Sequence, residues 1–343
     1  MSPSETSTTL ADARGDDTPT EYTELLRTLS HGSVHRRFDP YLDIAWDSPD
    51  FAVDPTDPRW KLPAQDPLGG HPWYLSLPED RQIALGLWRQ ANIAKVGLQF
   101  ENILIRGLMQ YVFSLPNGSP EYRYCTHEAV EECNHTMMFQ EVVNRLGADV
   151  PGMRRSIKLI GPLIPFLASA FPEWFFVMVL AGEEPIDHAQ KGVLRAGAAG
   201  HPMVERVMSI HVAEEARHIS FAHEYLRHRV PAMGRIRRFV LSLLFAPTMR
   251  ITCDLIAVPT REFRTTFSVP RSVLRDVYWR SPESRELLAD FFGDVRALAV
   301  ETELMNPVSR VMWRICRIDG RASRFRGEPA RARGAVRRRI PFA

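Results

Sequence analysis

From Pro78 onward, long runs of helix-forming residues carry apolar positions at helical spacing. They span Glu79 to Phe113, Pro120 to Leu146, Pro172 to Ala198 and Pro202 to Arg229. Most open near a proline and close near a glycine or asparagine, the punctuation of helix starts and stops. The pattern predicts four consecutive long helices, followed by a further helical region from Gly234 to about Val300 with breaks around Pro259, Pro270 and Pro282. No strand alternation competes, so the predicted fold class is all-α. Residues 35 to 75 are different in kind. They are dense in Pro, Asp and aromatics without a sustained period, which reads as an extended segment that packs through its aromatic side chains.

Two runs are apolar enough to raise the question of a membrane. Ile157 to Gly182 is interrupted by Pro162, Pro165, Pro172 and Glu173, and Phe239 to Val258 by Pro247, Arg250 and Asp254. Neither supplies the ~20 uninterrupted apolar residues that a span requires. Both are expected to be buried helices of a large bundle, with no membrane span.

Composition narrows the class further. A chain of 343 residues, 45% apolar and 24% charged with a formal charge of +2, has ample material for a core and no global charge bias toward nucleic acid. Cys125, Cys133, Cys253 and Cys316 are scattered, without C-x-x-C spacing, which suggests reduced thiols in a cytoplasmic protein and no zinc site. The polar N-terminus lacks the order of a signal peptide. Arg314 to Ala343 holds ten arginines against Asp319 and Glu328. The expected organisation is a flexible tail over 1–34, one domain over 35–313 and a basic, disordered tail over 314–343, with no motif for reading nucleic acid.

The chemistry is concentrated in HVAEEARHISFAH, residues 211–223. At about 100° per residue, His211, Glu215 and His218 project from one side of a helix within about 60°. Glu214 lies about 60° to the other side and stays undecided, while His223 and Glu224 point away and read as surface residues. An earlier helix carries EAVEECNHTMMF, where Glu132 and His135 repeat the E-x-x-H spacing of Glu215 and His218. Two such pairs on two helices, with one glutamate from each of two others, are the mark of a carboxylate-bridged di-iron or di-manganese bundle. Glu101, within GLQFENILI, and Glu183 or Glu184, after FFVMVLAG, are the remaining candidates. A carboxylate in such apolar company is costly to bury unless paired or bound to metal. Carboxylates and imidazoles without thiolate favour iron or manganese.

This set resembles the bacterial arylamine N-oxygenases, a ferritin-like di-iron family typified by p-aminobenzoate N-oxygenase, over roughly residues 35 to 300. Its distinguishing feature is an additional histidine one turn before the last E-x-x-H, where this chain has His211. The resemblance implies a ferritin-like four-helix di-iron bundle with additional C-terminal helices. It also implies the metal ligands Glu101, Glu132, His135, Glu184, His211, Glu215 and His218, with Glu184 chosen over Glu183 on the resemblance alone. It further implies two iron ions per chain, dioxygen as co-substrate, an external electron donor, a small aromatic amine as substrate and a homodimer. The implied reaction carries the amine through hydroxylamine and nitroso to nitro, in secondary-metabolite biosynthesis. A di-iron desaturase or hydroxylase of carrier-bound chains, or a ferritin-like metal-binding protein, also explains two E-x-x-H pairs but leaves His211 without a role.

Three finer expectations concern the site's surroundings. Pro185, after Glu184, is expected to kink the helix or open a π-bulge. Asp187 and His188 are candidates to orient ligand imidazoles. Leu98, Leu104, Val177, Leu180, Val207 and Met208 fall near the ligand faces and are candidates for a cavity lining.

Overall fold

In the computed structural model, which describes residues 20–197 and 200–328, helices α1 (Glu21–His35), α2 (Glu79–Val112), α3 (Pro120–Leu146), α4 (Pro172–Ala196) and α5 (Pro202–Arg229) form the site-bearing unit. α6 (Arg235–Ala257), α7 (Pro282–Phe291), α8 (Gly293–Glu301) and α9 (Pro307–Ile315) follow, with short turns between. No strand occurs among the described residues. The four long helices agree with the sequence expectation to within two residues at each end. Proline occupies the first turn of α3, α4 and α5, where its missing N–H is no loss. Gly147 closes α3 at φ 63°, a left-handed conformation that favours glycine.

α2 packs along α3 and α4 along α5, and the two pairs meet through α3 with α5 and α2 with α4, the architecture of a four-helix bundle. Two apolar clusters fill it. One holds Leu104, Phe176, Leu180, Phe221 and Tyr225; the other holds Trp46, Trp60, Met138, Phe139, Val207 and Ile210. A layer of charged side chains separates them. Of the candidate lining residues, Leu104, Val177 and Leu180 belong to the first cluster and Val207 and Leu98 to the second, so they serve as core on either side of that layer. The Pro- and aromatic-rich segment covers one flank, with Ile44, Trp46 and Trp60 buried as its residue content predicts.

Three expectations are corrected. The N-terminal tail expected over 1–34 contains α1, which buries Leu26 and Leu29 against the bundle, beside α3 and α5, and stacks Tyr22 on His228 at 4.3 Å. The apolar spacing of Leu25, Leu26 and Leu29 after the N-cap Thr20 is the signal for it. The start of the basic tail expected over 314–343 is instead packed: Arg314 lies in α9, Ile318 is fully buried, and its carbonyl accepts from Arg296 at 2.8 Å. Residues 1–19 and 329–343 lie outside the described residues. Finally, the π-bulge offered as one alternative to a kink at Pro185 does not form: α4 runs through that residue as α-helix. The π-turn among the described residues is at Asp276–Arg280.

By length and composition, the stretch beginning at Arg235 is apolar enough to cross a membrane. Its inner face is committed to the bundle, however, with Leu241, Phe245 and Met249 fully buried, so it is not a lipid-surrounded span.

Candidate metal centre

Glu101 of α2, Glu132 and His135 of α3, and His211, Glu215 and His218 of α5 converge in the layer between the two apolar clusters, none more than 2% exposed. They form two overlapping groups whose ligand-type atoms lie within 4.8 Å of one another. Glu132, His135, Glu215 and His218 make one, and Glu101, His211 and Glu215 the other. Glu215 belongs to both. Its Oε1 is 3.4 Å from His135 Nδ1, 3.3 Å from His211 Nε2 and 3.5 Å from His218 Nδ1. The two oxygens of Glu132 divide between the E-x-x-H imidazoles, Oε2 at 3.0 Å from His135 Nδ1 and Oε1 at 2.8 Å from His218 Nδ1.

Many of these atoms have no hydrogen-bond partner although they are buried. They are Glu101 Oε2, Glu132 Oε1, both oxygens of Glu215, His211 Nε2 and His218 Nδ1. His218 Nδ1 and Glu132 Oε1 are close but misaligned for a hydrogen bond, as expected of atoms aimed at a common centre rather than at each other. Buried polar atoms are nearly always satisfied, so this concentration of orphans fits cations held between them.

The far side of each imidazole is tied down. His135 Nε2 lies 3.0 Å from Glu214, His218 Nε2 lies 2.8 Å from Glu131, and His211 Nδ1 lies 3.0 Å from Gln190. The two carboxylates cross over: Glu131 of α3 serves the histidine of α5, and Glu214 of α5 serves the histidine of α3. Arg217 Nη2 joins them, at 2.8 Å from Glu131 and 3.4 Å from Glu214. The covering segment adds a donor, the Phe38 N–H to Glu214 at 3.1 Å. Such partners set the tautomer and orientation of a ligating imidazole, leaving Nδ1 of His135 and His218 and Nε2 of His211 to face inward. Sequence reasoning left Glu214 open and missed Glu131 and Gln190. The doublets Glu131–Glu132 and Glu214–Glu215 were the available signal.

The structure does not bring Glu184 into this set. Its Oε1 is 2.5 Å from His223 Nε2, and His223 is 1% exposed, not the surface residue expected. Glu183 is buried instead with both carboxylate oxygens unpaired. Burial, then the charge of Glu215, raises its pKa well above the ordinary value. Asp187 and His188 orient no ligand: Asp187 pairs with Lys191 at 2.6 Å, and His188 packs edge-on to Phe291. One further carboxylate, Glu128, sits a turn before Glu132, fully buried and unpaired at both oxygens.

The electrostatics are those of a carboxylate-rich, desolvated site. Burial, then Glu132, drives Glu101 well above its ordinary value, and burial does the same to Glu128. Burial lowers His211 to about 4, keeping it neutral and able to donate a lone pair. For His135 burial works downward, but Glu132 at its side prevails and lifts it to about 10. For His218 the same contest, won chiefly by Glu215 and Glu132, ends well above the ordinary value.

The sequence profile described as p-aminobenzoate N-oxygenase AurF matches residues 19–303. Uncharacterized proteins of Mycobacterium bovis and of Mycobacterium tuberculosis are each 62% identical to the chain over 311 residues, covering 91% of it and 92% of the relative. No solved structure matches.

Proposed function

Starting from a chain that belongs to the p-aminobenzoate N-oxygenase family, we propose that it binds two iron ions and uses dioxygen to oxidise an aromatic amine, through hydroxylamine and nitroso, to the nitro compound. The ligands we assign are Glu101, Glu132, His135, Glu183, His211, Glu215 and His218, with Glu183 in the place the sequence resemblance gave to Glu184. Four carboxylates balance the charge of two divalent cations, which makes so dense a buried acidic cluster tolerable. The observation that carries the N-oxygenase reading is the third imidazole. His211 Nε2 is 3.3 Å from Glu215 and 3.8 Å from Glu101, a position that a centre built on two E-x-x-H pairs does not need.

Bound ferrous ions would supply the electrons that activate dioxygen and the site of oxygen transfer to the amine nitrogen. The chain's own part is positional. Glu131 and Glu214 hold the outer N–H of the E-x-x-H imidazoles, Gln190 holds that of His211, and Arg217 fixes both glutamates. The Phe139 ring, 5.1 Å from that of His211, and the apolar clusters on both sides keep water from the reacting nitrogen. An external electron donor, a homodimeric assembly and a role in secondary metabolism complete the proposal.

The test is to analyse the metal, reduce the protein, admit dioxygen and follow the visible spectrum with and without a panel of arylamines. About two irons per chain and a chromophore whose decay is accelerated by arylamines alone are expected. Absence of iron, or indifference to every amine, would count against the reading.

Chelation should reveal what the metals contribute to stability. Binding at about a thousandfold above Kd is worth ~4 kcal/mol, so stripping should lower Tm by on the order of 10 °C. In the stripped protein Glu101 and Glu183, with raised values, hold protons that the unfolded chain releases. The folded state therefore binds more protons, and stability falls as pH rises above the ordinary carboxyl range. His135 acts in the same sense: its contribution is full below its unfolded value and is lost as pH rises through about 10. Thermal melts from pH 7 to 10 should show stripped and loaded proteins diverging. Parallel curves would mean that the acidic cluster is not what the metal neutralises.

A further inference from the structure

The outward face of α6 is an apolar feature that the metal chemistry leaves unused. Ile236, Val240, Leu243, Pro247 and Ile251 recur at intervals of three and four, opposite the buried row of Leu241, Phe245 and Met249. Ile236 is 81% exposed and Ile251 59%. Only 33% of the most apolar stretch of this helix is buried, so core packing does not account for its character.

α9 lies beside α6 and runs the same way. Asn306 donates to Ser242 at 2.8 Å, Trp313 stacks on Phe245 at 5.7 Å, and Arg250 donates to the Cys316 carbonyl at 2.9 Å. With Ser309 and Trp313 turned inward, Val308, Val311 and Ile315 are left exposed. Where the two helices begin, a groove of about 790 Å³ opens between Ile236, Phe239, Val300 and Met305, with Arg235 and Arg310 among its lining residues.

The charge at this face is predominantly basic: Glu303, which lines the groove, is matched by Arg238 at 3.3 Å. Arg235, Arg310 and Arg314 are exposed and make no ion pair among the described residues, and nine more arginines follow Arg314 in the sequence. A second copy related by a two-fold axis would set arginines against arginines, and the chain's own C-terminal segment would bring more of the same sign. An apolar stripe with an arginine rim suits a surface that is apolar within and anionic at its boundary. We infer that the α6–α9 face docks the protein on an anionic phospholipid bilayer, lying in the headgroup layer without crossing it. The inference is independent of what the metal centre oxidises.

Co-sedimentation of the full-length holoprotein with vesicles tests it. Binding to vesicles of phosphatidylcholine mixed with phosphatidylglycerol should exceed binding to phosphatidylcholine alone by about tenfold or more, and should weaken with salt. The double variant Ile236→Asp, Ile315→Asp changes two exposed positions. It should retain wild-type metal content and circular dichroism, yet lose most of that binding. Equal binding to both vesicles, or none to either, overturns the inference. Undiminished binding by the double variant does so too, since arginines alone would then suffice. A fall from dimer to monomer in light scattering, without vesicle binding by the wild type, would assign the face to a second copy and overturn it as well.

Discussion

Glu215→Gln is expected to empty both metal positions at once. No other side chain belongs to both ligand groups, and its Oε1 approaches all three inward-facing imidazoles between 3.3 and 3.5 Å. The amide is nearly isosteric but removes one of four negative charges and places an N–H₂ where lone pairs are needed. Partners that merely orient a ligand are worth ~10–100-fold in metal affinity. Loss of the shared carboxylate should exceed that range and take arylamine oxidation with it. Metal analysis after equilibrium dialysis reads the result. A Glu215→Gln protein that keeps about two irons per chain would remove the basis of the assigned centre.

The second large effect separates neighbours. Glu183→Gln should lower metal loading and activity by more than about tenfold, at least the scale of an outer-partner loss, because Glu183 alone of the α4 pair is buried with both oxygens unpaired. Glu184→Gln should keep its metal and instead lose stability. It weakens the contact with His223 and leaves a buried imidazole short of its partner, a defect of about 1–3 kcal/mol. The diagnostic comparison is metal content against Tm for the two proteins. If Glu184→Gln loses metal while Glu183→Gln retains it, the assignment within the doublet reverses and the sequence resemblance is right about that position.

These neighbours also show where sequence reasoning stopped. The four long helices were legible because apolar spacing and first-turn prolines are local signals, carried within one run of residues. The E-x-x-H pairs and His211 were legible for the same reason, since one helix fixes which of its own residues share a side. Glu183 and Glu184 differ by about 100° of helix rotation, and which of them faces the layer depends on how α4 is turned against α5. His223 sits about 120° around α5 from His211. That angle removes it from the centre but does not expose it, because Glu184 comes in on that side.

Glu131 and Glu214 were visible as members of acidic doublets, but their crossed service to the histidines exists only once α3 and α5 lie together. The exposed row on α6 was read as bundle core, since periodicity marks a stripe as apolar without saying whether anything covers it. By itself, then, the sequence determined an all-α bundle, the order of its long helices and the residue types that converge in one buried cluster able to hold metal. Tertiary structure decided the rotation of α4, the outer partners of each imidazole and which apolar faces remained open. Those depend on distances between helices that share no local sequence, and such distances are set by packing.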